Sequence, residues 1–176
     1  MNTPVARTVV LGLGNILHSD DGVGPRAVER LKMDGRMPQD VSLIEGGTLG
    51  LELLSYVWDS SYLLLLDAVD VGQPPGTMIR MSGEELHKMP GNGSVHQLGV
   101  TDLLAALRML ERRPPEVVLL GVQPATTDWG TTLSPAVEAA LSPLVEAALK
   151  ELYRTSQTEV RTVAVDFAVE ANTPCA

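Results

Sequence analysis

Thr8-Val9-Val10-Leu11-Gly12-Leu13-Gly14, then Asn15-Ile16-Leu17-His18-Ser19-Asp20-Asp21-Gly22, then Val23-Gly24-Pro25 opening a segment that runs to Met33, is the stretch that decides the fold. The apolar run starts on β-branched residues and stops at glycine, the pattern of a strand buried on both faces. The loop after it is polar. Val23 to Met33 places its apolar residues at helical spacing, and Pro25 falls in the first turn, where a missing N–H does no harm. A buried strand feeding a loop and a helix is the start of an α/β layer structure.

Working outward, the same alternation repeats. Val41-Ser42-Leu43-Ile44 reads as a second strand closed by Gly46-Gly47, and Thr48 is placed to cap a helix with Leu51, Leu54 and Trp58 on one face. Ser61 to Asp67 is a third and very apolar strand. After a turn-rich connection from Asp70 to Gly76, Thr77 to Met81 reads as an edge strand, antiparallel to its neighbour. Leu98 to Leu110 is helical in pattern, with Leu103, Leu107 and Leu110 in register, and Glu116 to Val122 is the last strand. Ser134-Pro135 and Ser142-Pro143 each put a hydroxyl before a first-turn proline, which predicts two helices or one kinked helix. Residues 1–154 form one domain in this reading and residues 155–176 a mobile tail. The predicted fold is α/β, a single domain with a mostly parallel twisted sheet of about five strands and helices on both faces.

Bulk properties narrow the functional classes. With 176 residues and 44% hydrophobic content the chain can bury one sizeable core. Aromatic residues are 3% and the net charge is −9, which argues against base stacking and phosphate binding and so against a nucleic-acid partner. The one cysteine, Cys175, cannot form an internal disulfide or a thiolate cluster. No signal-peptide pattern opens the chain and no apolar run approaches membrane-spanning length, so a cytoplasmic protein without membrane contact is expected.

In a parallel sheet, sites gather at the carboxyl ends of the strands. The loop 15–22, the segment Glu45–Thr48 and Asp67 all fall at such ends. Ser19-Asp20-Asp21 puts two carboxylates just before a helix; one is explained by capping, two adjacent ones less easily. Asp67 ends a run of four leucines, where a charge must face a cleft or find a partner. His96 stands ahead of a predicted helix, which favours a neutral ring able to bind a cation. His18 and His87 carry less weight. Two carboxylates and an imidazole suit a borderline divalent metal with positions left for water or substrate. By contrast, Gly12-Leu13-Gly14-Asn15 lacks the third glycine of a dinucleotide fingerprint, because Leu17 stands there, and no Gly-x-Ser-x-Gly elbow or His-Glu-x-x-His motif occurs.

These residues stand in a familiar order. Val9 to Gly24 resembles the N-terminal signature of the nickel–iron hydrogenase maturation proteases. So do Glu45-Gly46-Gly47-Thr48-Leu49-Gly50, Leu66-Asp67-Ala68-Val69-Asp70, Val95-His96-Gln97-Leu98-Gly99 and Gly121-Val122-Gln123-Pro124, in the family's order from about Val9 to Leu152. The resemblance implies an endopeptidase, aspartic-type in its use of carboxylates. Its substrate would be the precursor of a hydrogenase large subunit, whose C-terminal extension is removed after nickel insertion. It implies Asp21, Asp67 and His96 as metal-contacting and catalytic positions, and nickel supplied by the precursor. It also implies a substrate-binding segment Glu45, Gly46, Gly47 and Thr48, and a monomer acting on a transient partner. The chain departs from the family at two places. Asp21 stands where glutamate is frequent, and Glu45 where aspartate is typical, so that an extra methylene shifts the second carboxylate. The residues leave open whether nickel polarises the scissile carbonyl or activates a water, or whether Asp21 or Asp67 is the general base and nickel serves recognition. A nickel-sensing module without turnover keeps the same three ligands, and a nucleotide-binding oxidoreductase rests on Gly12 and Gly14 alone.

Overall fold

The computed structural model describes residues 7–87, 103, 105–107, 109–110 and 116–170. Five strands form one sheet: β1 (Arg7–Leu13), β2 (Val41–Gly47), β3 (Ser60–Ala68), β4 (Met78–Ser82) and β5 (Glu116–Val122), in the order β2-β1-β3-β5-β4. All neighbouring pairs run parallel except β4, which lies antiparallel on the outer side of β5. The helices with defined bounds among the described residues are α1 (Val23–Lys32), α2 (Leu54–Val57), α3 (Glu84–His87) and α4 (Pro135–Glu170), and residues 103, 105–107 and 109 are helical as well. This is the single-domain, mostly parallel α/β architecture expected, down to the antiparallel edge strand. Among the described residues no helix is long and apolar enough to cross a membrane.

Strand periodicity splits the core into two layers. Val10, Leu64, Leu66, Val118 and Leu120 face one side and pack against Val28 and Leu31 of α1 and Leu144 and Leu149 of α4. Their sequence neighbours Val9, Leu11, Leu63, Leu65 and Leu119 face the other side, where Leu53, Val57, Leu103 and Leu107 cover them. Both faces are therefore dry, which is why β1, β3 and β5 read as continuous apolar runs rather than alternating ones. Each leucine buried in this way stabilises by roughly 1.5–3 kcal/mol. The largely exposed pairs Arg30–Glu138 and Lys32–Glu45 each contribute about 0–1 kcal/mol. The apolar layers decide the fold.

One contact sets the position of α1 over the sheet. A Cβ on Gly24 would lie 2.2 Å from the Leu66 carbonyl oxygen and 2.3 Å from that of Leu13, and one on Gly12 would lie 2.6 Å from the Gly24 carbonyl oxygen. Only two glycines let the first turn of α1 rest directly on the carboxyl ends of β1 and β3.

The structure corrects several local expectations. Gly46 and Gly47 do not close β2 but belong to it, with a register shift: Gly12 pairs with Glu45 and Leu13 with Gly47, leaving Gly46 as an extra, bulged residue. The helix after β2 is a 3-10 turn (Leu51–Leu53) followed by α2, with no side-chain cap at either start. Its buried positions are Leu53 and Val57, spaced by four, while Leu51 is exposed. Ser134 caps α4 as expected, its Oγ accepting the Val137 N–H at 3.4 Å. Ser142-Pro143 starts no second helix: Pro143 lies inside α4, and the Ser142 hydroxyl instead accepts a hydrogen bond from Arg30. The helix continues through Glu170 into the stretch read from sequence as a tail. Residues 171–176 lie outside the described residues.

Candidate active site

The carboxyl ends of β1, β2 and β3 meet around the turn that leads into α1. After β1, Gly14 takes φ +116°, and a Cβ there would stand 1.8 Å from the Asp21 carbonyl oxygen, so the chain folds back on itself only with glycine at this position. The Gly14 N–H donates to the Gly47 carbonyl at 3.0 Å, tying the β1 end to the bulged end of β2. Ser19–Gly22 is a 3-10 turn that packs against β3, and it presents Asp20 and Asp21, both buried.

These adjacent acids do different work. Asp20 is 0% exposed. Its Oδ2 accepts the N–H groups of Ala125 at 2.8 Å and Thr126 at 3.2 Å, and its Oδ1 accepts the Ser134 N–H at 2.6 Å. A buried carboxylate holding three amide donors is a clamp on the loop 124–134. Neither acid caps α1 through its side chain, since the N-cap residue is Gly22. The expectation of a capping aspartate is thus corrected: Asp20 serves a different, distant backbone.

Asp21 is 5% exposed and its Oδ2 accepts the Asn15 N–H at 2.6 Å, which fixes the carboxylate across the loop that leaves β1. Asp67, 2% exposed, lies one residue before the end of β3 opposite Gly121 of β5, and its Oδ1 accepts the N–H of Ala68 at 2.8 Å. Since Gly24 rests on the Leu66 carbonyl, the turn carrying Asp21 and the β3 end carrying Asp67 share one edge of the sheet. A carboxylate is costly to bury without compensation. Asp20, Asp21 and Asp67 are all buried at these strand ends, the place where sites gather in parallel sheets.

Of the remaining candidates, His96 lies outside the described residues. Gly46 is buried against Leu13 and Leu53, and Gly47 and Thr48 lead to the surface beside the turn. Glu45 points to the α1 side of β2 and pairs with Lys32, leaving its side chain about half exposed. Among the described residues no cluster of three or more His, Cys, Asp or Glu side chains forms by itself.

Two participants escaped the sequence reading. Gln123, buried after β5, accepts the N–H groups of Val71 and Gln73 through Oε1 and donates from Nε2 to Asp70 at 2.9 Å. That hydrogen bond holds the Asp70 carboxyl below the usual range. Gln123 thereby shapes the loop that follows Asp67. His18 joins its Nδ1 to the Thr127 carbonyl at 3.0 Å, and its ring lies 4.5 Å from the Trp129 ring. Gln123 was visible as part of a motif block but not its task; nothing local announced the His18 pairing.

The profile of the hydrogenase maturation protease family matches residues 25–151. The hydrogenase expression/formation protein HupD of Rhodobacter capsulatus is 39% identical over 134 residues, 74% of this chain but 64% of that protein, so the match spans just under two thirds of its length. The hydrogenase 2 maturation protease of Escherichia coli (strain K12) is 39% identical over 137 residues, covering 77% of this chain and 84% of that one. Among solved structures, the hydrogenase maturating endopeptidase HybD from E. coli superposes with a TM-score of 0.79 at 38% identity, over 85% of this chain and 93% of that chain. The NiFe hydrogenase maturation protease HybD from Thermococcus kodakarensis gives 0.72 at 30% identity, over 83% and 99%.

Proposed function

The chain belongs to the hydrogenase maturation protease family, and we propose that it is an endopeptidase that removes the C-terminal extension of a nickel–iron hydrogenase large-subunit precursor after nickel insertion. The observation that carries this reading is the pair of buried carboxylates, Asp21 and Asp67, held at one edge of the sheet by backbone N–H groups. In this reading nickel arrives as part of the substrate, already bound by the precursor. Asp21, Asp67 and His96 offer the protease's share of donors, two oxygens and one nitrogen, a set suited to a borderline divalent cation. Docking then reports that metallation is complete. A carboxylate fixed beside the bound metal is also placed to take a proton from an attacking water. Gly47, with open space around it, offers main chain to an extended substrate tail, with Thr48 and Glu45 nearby and Gly46 packed beneath.

The test is intact-mass analysis of purified nickel-loaded precursor after incubation with the wild-type chain, Asp21→Asn and Asp67→Asn. The expected result is a shortened precursor with the wild type and a rate lower by about 100-fold or more in each variant. Full-length precursor in every reaction would reject the protease reading, and unimpaired variants would reject the site.

A further inference from the structure

We propose that Ile16, Leu17 and Trp129 form a docking surface for an apolar segment of the large-subunit precursor lying within a few residues of the bond to be cut; this rests on the protease reading above. Trp129 is 78% exposed, Ile16 52% and Leu17 47%. Large apolar side chains exposed singly are ordinary, but contiguous ones beside a site are a mark of recognition. Leu17 and Trp129 stand on backbone stretches that run side by side, with Ile16 next in the chain. The Gly130 N–H donates to the Leu17 carbonyl at 2.9 Å, the Ser19 N–H donates to the Gly130 carbonyl at 2.8 Å, and the Trp129 ring lies 4.5 Å from the ring of His18.

The surface is also built rather than loose. Its two halves are separate loops, 15–18 and 124–134, joined by the His18–Gly130 bridge, by the His18–Thr127 hydrogen bond and by the three hydrogen bonds Asp20 accepts. Asp20 holds both the stretch leading to Trp129 and, through Ser134, the start of α4, whose Val137 and Leu141 pack in the core, so the loop is anchored to the body of the fold. Preorganised aromatic side chains lose little entropy on binding and dominate interface energies.

Continuity with the site identifies the occupant. The Asp21 N–H donates to the His18 carbonyl at 3.0 Å, a one-turn closure that keeps the two Cα atoms within about 7 Å. An extended segment running from Asp21 covers the distance to His18, whose neighbours Leu17 and Trp129 are exposed, in roughly two or three residues. The patch itself is uncharged on a chain of net charge −9, and the neighbouring Asp128 is engaged by the Thr126 hydroxyl at 2.9 Å. The matching segment is therefore apolar and uncharged.

The experiment measures cleavage of nickel-loaded precursor by wild type, Trp129→Ala, Trp129→Phe and Leu17→Ser. Separately, a Trp58→Phe background leaves Trp129 as the sole tryptophan, and its emission is followed on adding the same precursor. The proposal expects KM to rise roughly tenfold or more in Trp129→Ala and Leu17→Ser with kcat within about twofold, partial recovery in Trp129→Phe, and a blue shift of Trp129 emission. An unchanged KM in both variants, or a loss confined to kcat, overturns it, as does emission that precursor leaves unaltered. If the wild type cuts nothing yet Trp129 emission shifts, the protease reading fails and the docking surface stands. If the wild type cuts and the variants match it, the docking surface alone fails.

Discussion

Asp20 and Asp21 are adjacent in sequence, and the chemistry of each is set by what its oxygens face. Asp20 meets three backbone N–H groups 105 to 114 positions further along the chain, whereas Asp21 takes one from Asn15 at the mouth of β1. Replacing Asp20 by asparagine keeps the volume, removes the charge and turns an NH₂ toward donors that need acceptors. The expected loss is about 1–3 kcal/mol in denaturant unfolding, with the larger figure favoured because the lost group is charged. The same variant should loosen the loop bearing Trp129, read as faster amide exchange at Ala125 and Thr126. Equal stability and unchanged exchange would remove the clamp from the account. This division of labour was beyond the sequence. Two acids before a helix flagged the place, but the loop that claims Asp20 is far along the chain and no spacing links them. Asp67 drew notice in the sequence because a charge ending four leucines on a strand must face a cleft or find a partner, and the structure buries it at the end of β3 with the Ala68 N–H as one partner.

At the scale of elements, α1 is located by close glycine contacts at its first turn as well as by the packing of Val28 and Leu31. Gly24→Ala would drive a methyl into the Leu13 and Leu66 carbonyls, and neither strand end can retreat without breaking the sheet. The expected cost is about 3 kcal/mol or more, at or above the upper end for overpacking, read as a large drop in melting temperature or failure to accumulate folded protein. Gly47→Ala differs in kind. The space around it is open, but its φ of +54° costs an L-residue about 1–2 kcal/mol, so this variant should fold and process precursor more slowly. Full processing by Gly47→Ala would show that the bulge need not adapt to substrate. Element type was readable wherever burial imposes a period, as in β1, β3, β5 and α1. It was misread at the end of β2 and before α2, where a bulge and a 3-10 turn replace a clean strand end and a capped helix. There the deciding factor was packing of Gly46, Leu53 and Val57 against the sheet, which local propensity does not encode.

For the molecule as a whole, two apolar layers carry the stability, and charged pairs on the surface tune its pH range. Asp34 is held down to about 2 by its hydrogen bond from Arg36; Glu146 lies below its usual range through the same guanidinium, and Glu151 does so through Arg80. Folded values below the unfolded ones mean that unfolding takes up protons. Their contribution is complete above the reference values of 3.8 and 4.5 and drains away as pH falls through the lowered folded values, that of Asp34 lying at about 2. The melting temperature should therefore decline through that window, and Arg36→Ala should make the decline shallower; an identical decline would exclude these pairs as its cause. The α/β class and the strand directions were legible because each follows from hydrophobic period and the geometry of parallel sheets. The joining of loops 15–18 and 124–134 was not, since it depends on tertiary contact alone. Two buried carboxylates and a metal borne by the substrate are the heart of the proposed reaction. The most direct measurement is a processing assay comparing nickel-loaded with nickel-free precursor, using wild type, Asp21→Ala, Asp67→Ala and His96→Ala. The account predicts shortening of the nickel-loaded precursor by the wild type and by none of the three variants, with the nickel-free precursor left intact. Equal shortening with and without nickel, or undiminished cleavage by Asp21→Ala and Asp67→Ala, would contradict it.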